Sequence, residues 1–309
     1  MLFLLTGNCD QQSPDCFIIF EPKPDTMTSR RNFVRQSALV MAAMPLINRD
    51  LLASPRLSKK TGLALYTIRD AMGKDPAAAL AEAAEIGYDW VEAADHRDRK
   101  FYGLAPKEFG KLVKKAGMVP LSSHSQVLPE NHEQMIDDAA EAGMKYIMLP
   151  SLPRDWSSTI DGYQRSADFF NKAGERCRKA GITFGFHNHQ IEFQEINGRV
   201  PYDVLLENTD PKLVTFELDI AWITAAGKDP VAYFRKYPGR FQVWHMKDLS
   251  PEKQDATLGE GIIDFKPILA EAKTAGMKYW FLEQDHCRTH TPMESIAISR
   301  SYYLEKLLK

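Results

Sequence analysis

The chain has 309 residues, a formal net charge of −2, 44% hydrophobic residues and 26% charged residues. This balance excludes a disordered or collagen-like chain and a disulfide-dense miniprotein. It supplies no excess of positive charge for a nucleic-acid surface, so no nucleic-acid partner is expected.

In chain order, residues 1–26 show no clean periodicity and are read as an extension ahead of a start at Met27, or as disordered chain. Residues 27–53 have the layout of a cleavable twin-arginine signal peptide. Ser29-Arg30-Arg31-Asn32-Phe33-Val34 precedes an apolar stretch from Ser37 to Ile47, and small residues follow at Ala53 and Ser54. The stretch is shorter than the roughly 20 apolar residues that span a bilayer. It also holds no Cys for a lipid anchor. A periplasmic or secreted protein without a stable membrane anchor is therefore expected. Because the twin-arginine route carries folded proteins, a cofactor loaded before export would suit it.

From Ser54 to Lys309 an internal repeat appears. Helical patterns end at Gly87, Gly117, Gly143, Gly181 and Gly276, and each leads into a short apolar run. Gly suits the left-handed cap of a helix, and the runs suit buried parallel strands. Strands are predicted at 63–68, 90–94, 119–124, 146–149, 183–189, 214–219, 241–247 and 279–284. Helices are predicted at 76–86, 106–116, 133–142, 163–180, 231–237, 265–275 and 293–308, with a shorter one at 202–207. Strict alternation with eight strands predicts a closed (β/α)8 TIM barrel, a single catalytic domain over 54–309. An open doubly wound sheet would carry a Gly-rich phosphate turn after its first strand, and Tyr66-Thr-Ile-Arg-Asp70 is not one. Cys177 and Cys287 belong to no CxxC pair and read as two unpaired thiols.

Catalytic groups of such barrels sit at the C-terminal strand ends. Six of the eight His fall there: His96, His124, His187, His189, His245 and His286. Glu92, Glu217, Asp219, Lys247, Glu283 and Asp285 join them. Polar groups are expensive inside a barrel, so imidazoles and carboxylates gathered at one rim point to a metal site. Glu92 and Glu283 interrupt apolar runs, where an unpaired carboxylate is costly, and this favours a functional role for both. Trp156, Trp222 and Trp244 lie near strand ends and offer faces for a sugar, or packing.

The segments Gly87-Tyr-Asp-Trp-Val-Glu92, Gly185-Phe-His-Asn-His189, Glu192-Phe193, Leu218-Asp219, Trp244-His-Met-Lys-Asp248 and Phe281-Leu-Glu-Gln-Asp285 carry a family resemblance. Together they resemble the xylose isomerase-like TIM barrels, also called the sugar phosphate isomerase/epimerase family, over nearly all of Thr61–Lys309. The resemblance implies one divalent metal held by residues on strands 5 to 8. By motif, Asp219, His245 and Glu283 match, and His187 stands where epimerases place a Glu. The ion is Zn, Mn, Fe, Co or Mg. An imidazole keeps the metal but does not replace the second carboxylate of a two-sided proton shuttle.

The resemblance further implies a metal-polarised carbonyl, with Glu283 or Glu92 as the base that removes the adjacent proton. Lys247 would stabilise the enediolate, and His189 or His124 would act as general acid. His124, Trp222 and Trp244 are the expected substrate contacts. The leading expectation is an isomerase or epimerase of an unphosphorylated keto sugar, since phosphorylated sugars are mostly cytoplasmic. A 3-keto-glycoside lyase, hydrolase or dehydratase on the same site is the alternative. From another class, a non-catalytic periplasmic carbohydrate-binding protein would keep the pocket without needing the metal set. The expected partner is a small sugar or glycoside, and a homo-oligomer is allowed.

Overall fold

The computed structural model describes residues 58–309. The expected leader, the segment before it, and Cys9 and Cys16 lie outside the described residues. Among the described residues eight parallel strands form the barrel: β1 Gly62–Ala64, β2 Trp90–Ala93, β3 Val119–Ser123, β4 Tyr146–Leu149, β5 Thr183–His187, β6 Val214–Asp219, β7 Val243–Met246 and β8 Tyr279–Leu282. Their order is β3-β2-β1-β8-β7-β6-β5-β4. The two ends meet through a parallel bridge between His124 and Met148, and Ser125 N–H donates to Met148 O at 2.9 Å. The barrel is therefore nearly closed, as the alternation predicts.

The principal helices between and after the strands are α1 Pro76–Ile86, α2 Pro106–Lys115, α3 His132–Ala142, α4 Ile160–Ala180, α5 Pro201–Asn208, α6 Pro230–Lys236, α7 Phe265–Ala270 and α8 Pro292–Tyr302. Their starts follow from local chemistry. Asp75 caps α1 by accepting the N–H groups of Ala77 and Ala78 at 3.0 and 3.1 Å, and Pro76 takes the first helical position, where no N–H is needed. Thr291 and Glu294 close a reciprocal capping box at the start of α8. Gly87 and Gly181 end α1 and α4 with φ of 106° and 77°, a left-handed geometry that costs Gly nothing. The longest helix, α4, buries Tyr163, Phe170, Ala173 and Cys177 along one stripe against the barrel. Burial of a side chain such as Phe170 stabilises the fold by about 2 kcal/mol.

Several boundaries shift by a few residues from the sequence reading, and two of the changes alter an element. The first strand stops at Ala64, because Thr67 N–H turns back onto Ala64 O at 3.1 Å and Ile68 N–H onto Leu65 O at 3.2 Å. A short helix, Arg69–Lys74, follows that turn. The predicted helix 265–275 breaks at Glu271 into α7 and a single turn, Ala272–Ala275. Cys177 and Cys287 are free thiols, as expected. No described helix is long and apolar enough to cross a membrane.

The barrel interior is layered. Its floor is an apolar plug of Ala64, Trp90, Leu121, Tyr146, Met148, Val243 and Phe281. Gly62 makes room for it: a Cβ there would lie 2.2 Å from Trp90 Nε1, whose N–H donates to Trp280 O. Above the plug the inward positions turn polar. Strand alternation points Glu217 and Asp219 of β6 inward with Phe216 and Leu218 outward, and the same period sets His245 against Trp244 on β7. The register places His187 beside Glu217 and Asp219 beside His245. This stacking gathers the titratable groups into one volume.

Candidate active site

His245 stands at the centre, with both ring nitrogens engaged. Its Nε2 lies 2.7 Å from Glu92 and 3.3 Å from Glu217, and its Nδ1 lies 2.9 Å from Glu283. It divides two groups of side chains. In the first, Glu92 also accepts the Ser122 hydroxyl at 2.7 Å, and Glu217 lies 2.6 Å from His124 Nε2 and 3.1 Å from His187 Nδ1. Burial pushes the Glu92 carboxyl up, and repulsion from Glu217 adds to it. Burial acts the same way on Glu217, but the charges of His245 and His124 overcome it and hold that carboxyl well below the usual range. For His245 burial disfavours the charge, and Glu217, Glu283 and Glu92 outweigh it and hold the ring protonated.

The second group is His187, Asp219, Glu283 and Lys247. Asp219 Oδ1 caps the helix Ile220–Ala225 through Trp222 N–H at 2.8 Å. Asp219 Oδ2 is fully buried, has no hydrogen-bond partner, and lies 4.0 Å from His187 Nε2 and 3.7 Å from Lys247 Nζ. Burial pushes Asp219 up to about 7 in spite of Lys247. Burial pushes His187 well below the usual imidazole range, so its ring is neutral. Burial would also raise Glu283, but Lys247 and His245 hold it ionised. Lys247 Nζ lies 3.3 Å from Glu283 and is bonded to Asp285. Burial opposes its charge, and Glu283, Asp219 and Asp285 more than restore it.

One ligand atom each from His187, Asp219, His245 and Glu283 lies within 4.8 Å of the others. Neutral His187, ionised Glu283 and the orphaned Asp219 oxygen offer three ligand atoms to a divalent cation, and His245 would complete the set on giving up its Nδ1 proton, so these residues fit the expected metal. Glu92 on the far nitrogen of His245 would orient that ligand. His124, His187, Glu217 and His245 form a second compact set. In that set Glu217 Oε2 is already shared by His124 and His187, while Glu217 Oε1 has no hydrogen-bond partner and lies 3.3 Å from His245 Nε2.

The site opens into a cleft of about 550 Å³ lined by His124, His187, His189, Glu283, Asp285 and His286, with Tyr66, Asp95, Gln126 and Ser151 among the outer wall. That volume suits a small molecule such as a sugar. His189 sits in this wall with its ring 5.6 Å from Trp222, and burial together with Lys247 lowers it to about 4. The buried Glu192 carboxylate accepts His189 N–H at 2.7 Å and so fixes the turn that presents it. Trp222 lies under Lys247, ring centroid to Nζ 4.9 Å, and its indole N–H has no partner.

The structure thus brings together His187, Asp219, His245, Glu283, Lys247, His189, His124 and Trp222. Two expected roles need correction. Trp244 is fully buried on the outward face of β7, stacked on Phe234 at 4.6 Å with its N–H on Phe241 O, so it packs the barrel against α6 and touches no cleft. Glu92 is 1% exposed and wired to Ser122 and His245, so it is a support of His245 and not a base within reach of a substrate. Glu217 and Asp285, counted among the rim carboxylates but given no individual role, complete the cluster with Ser122, which the sequence reading did not single out. Inward alternation was the one available signal for Glu217.

The profile of the xylose isomerase-like TIM barrels matches residues 80–302. A sugar phosphate isomerase/epimerase structure from Parabacteroides distasonis ATCC 8503 is 29% identical, with a TM-score of 0.71, over 83% of this chain and 98% of that one. A second from the same organism is 27% identical with a TM-score of 0.73, over 82% and 100%. An inosose dehydratase from Clostridium tetani (strain Massachusetts / E88) is 30% identical over 169 residues, 48% of this chain and 56% of the relative. One from Lacticaseibacillus casei is 26% identical over 165 residues, 47% and 54%. The chain spans about half the length of these curated relatives.

Proposed function

The chain belongs to the xylose isomerase-like TIM barrel family, and from that premise we propose that it is a metal-dependent lyase of keto sugars or keto cyclitols. In this reading it removes the proton next to a ketone and expels an oxygen substituent one carbon further on, as a dehydratase does. The observation that carries the reading is the Asp219–Glu283 group: four ligand atoms beneath an open cleft, with a charged Lys247 beside them and one carboxylate facing the cleft. A divalent ion there would polarise the ketone and acidify the adjacent C–H bond. Glu283, ionised and lining the cleft, takes the proton. Lys247 stabilises the oxyanion that develops. His189 and Trp222 frame the ring of the substrate.

Elimination is favoured over the isomerisation or epimerisation expected first. Epimerisation needs a proton acceptor on each face of the substrate. The strand 5 position offers neutral His187, and Glu92 and Glu217 are consumed below the cleft floor. The names of the inosose dehydratases support the same choice. An unphosphorylated substrate fits the periplasmic or secreted location that the twin-arginine pattern implies. The test is to incubate the metal-loaded protein with keto sugars and 2-keto-myo-inositol in deuterated water. Deuterium at the α-carbon together with an enone or dione product supports the reading. Exchange with inversion and no elimination would restore the epimerase.

A further inference from the structure

His286, just past β8, takes no part in the steps above. It lies in the wall of the cleft over the metal set and also in the wall of a second cavity of about 650 Å³. The second cavity offers Ile68, Ala71 and Met293 as apolar surface. His189 lines the first cavity and not the second. His124, His187 and His245 are committed to the buried cluster.

The His286 ring is built into place. Asp255 Oδ2 accepts both His286 N–H at 3.1 Å and ring Nδ1–H at 3.0 Å. The Asp255 side chain is 9% exposed, while that of His286 is 64% exposed. A carboxylate behind Nδ1 fixes the ring's orientation and leaves Nε2 for a reacting group. Asp255 is itself held by a two-strand hairpin, Asp248–Leu249 with Asp255–Ala256. The loop that follows the hairpin is tied to buried Asp248. That carboxylate accepts N–H groups from Leu249, Gly259, Gly261 and Ile263 at 2.8 to 3.2 Å. A Cβ on Gly261 would fall 2.2 Å from Asp248 Oδ1.

We propose that His286, oriented by Asp255, protonates the oxygen expelled in the elimination, and that a ring-sized leaving group occupies the second cavity. This rests on the elimination reading of the first cleft. Glu283 takes the α-proton and the C–H pair becomes the enolate. The carbonyl then re-forms, a C=C bond forms, and the bond from the β-carbon to the leaving oxygen breaks. The electron pair stays on that oxygen, which takes a proton from His286 Nε2. The products are an enone and an alcohol, nothing is oxidised, and solvent restores both protonation states. The substrate class this names is a keto-sugar glycoside with the ketone two carbons from the glycosidic carbon.

The test compares methyl and 4-nitrophenyl 3-keto-β-D-glucosides on the metal-loaded full chain. Nitrophenolate departs without a proton and methoxide does not. His286→Gln should lower kcat/KM for the methyl glycoside by about 10²- to 10³-fold, and for the nitrophenyl glycoside by less than about tenfold. Asp255→Asn, a positioning change, should show the same selectivity at smaller size. Met293→Trp, which fills the second cavity, should reverse the order and weaken the nitrophenyl glycoside about tenfold more than the methyl one. Equal losses on both leaving groups in His286→Gln would overturn the donor role. Met293→Trp acting equally on both would overturn the leaving-group subsite. A wild-type protein that exchanges the α-proton yet expels neither group would sink this inference and leave the reading of the first cleft standing. No exchange at all would end both.

Discussion

The Glu92–Glu217 group and the Asp219–Glu283 group both gather carboxylates and imidazoles, each takes one carboxylate from β6 and they share His245, yet they are prepared for different work. In the first, each carboxylate meets an imidazole, and Ser122 takes another oxygen of Glu92. The groups support one another and hold His245 in place. In the second, Asp219 Oδ2 is buried without a partner and His187 Nε2 comes no nearer to it than 4.0 Å. A buried polar atom left without a partner costs about 1–3 kcal/mol. Each group keeps one such atom, but Glu217 Oε1 lies 3.3 Å from the His245 ring, whereas Asp219 Oδ2 has its nearest cationic or imidazole nitrogens at 3.7 and 4.0 Å and so keeps more unused capacity beneath the cleft. The lesson is that a cluster of titratable groups is read by its leftover bonding capacity and not by its residue types.

The largest way to break this comparison is at Glu283. Glu283→Gln should lower α-proton exchange by about 10³-fold or more, since it removes both a ligand and the base. Deuterium uptake into a keto sugar measures this, and an exchange rate within tenfold of wild type would remove Glu283 from the chemistry. His245→Ala attacks the shared residue. It strands the Glu92, Glu217 and Glu283 carboxylates without their central cation, and should destabilise the metal-free fold by about 3–5 kcal/mol in urea unfolding. A loss below about 1 kcal/mol would show that the first group is no scaffold.

The pH dependence sharpens the contrast further. Asp219 is pushed up to about 7, so below that pH a proton occupies the oxygen the ion needs. Metal affinity should therefore weaken by about tenfold for each pH unit lowered below about 7. Titration with the ion at pH 5.5, 6.5 and 7.5 checks the slope, and a flat profile would deny Asp219 as a ligand. Far from both groups, Asp75→Ala should cost about 1 kcal/mol through the lost α1 cap while metal content and exchange stay at wild-type levels.

Much of the fold is legible in the sequence because local chemistry writes it twice. Gly at helix ends and short apolar runs mark every β/α junction where the pattern was drawn. Helix starts carry a further signal in Pro76, Pro106, Pro201, Pro230 and Pro292, each the first residue of its helix. The metal set was legible as inward positions of consecutive strands. Trp244 was also decidable: if His245 faces in, its neighbour on the strand faces out. Glu92 was not decidable, because its depth relative to His245 depends on the stagger between β2 and β7, which no local pattern records. Asp255 and His286 are 31 residues apart and meet only through the loop organised by Asp248, so their pairing has no sequence signature.

The account stands on the ion occupying the Asp219–Glu283 group and not the Glu92–Glu217 group. Elemental analysis of the purified protein beside its Asp219→Asn and Glu217→Gln variants tests that directly. The account predicts about one divalent ion per chain, lost in Asp219→Asn and retained in Glu217→Gln. Retention in Asp219→Asn with loss in Glu217→Gln, or a wild-type protein that takes up no ion at all, would contradict it.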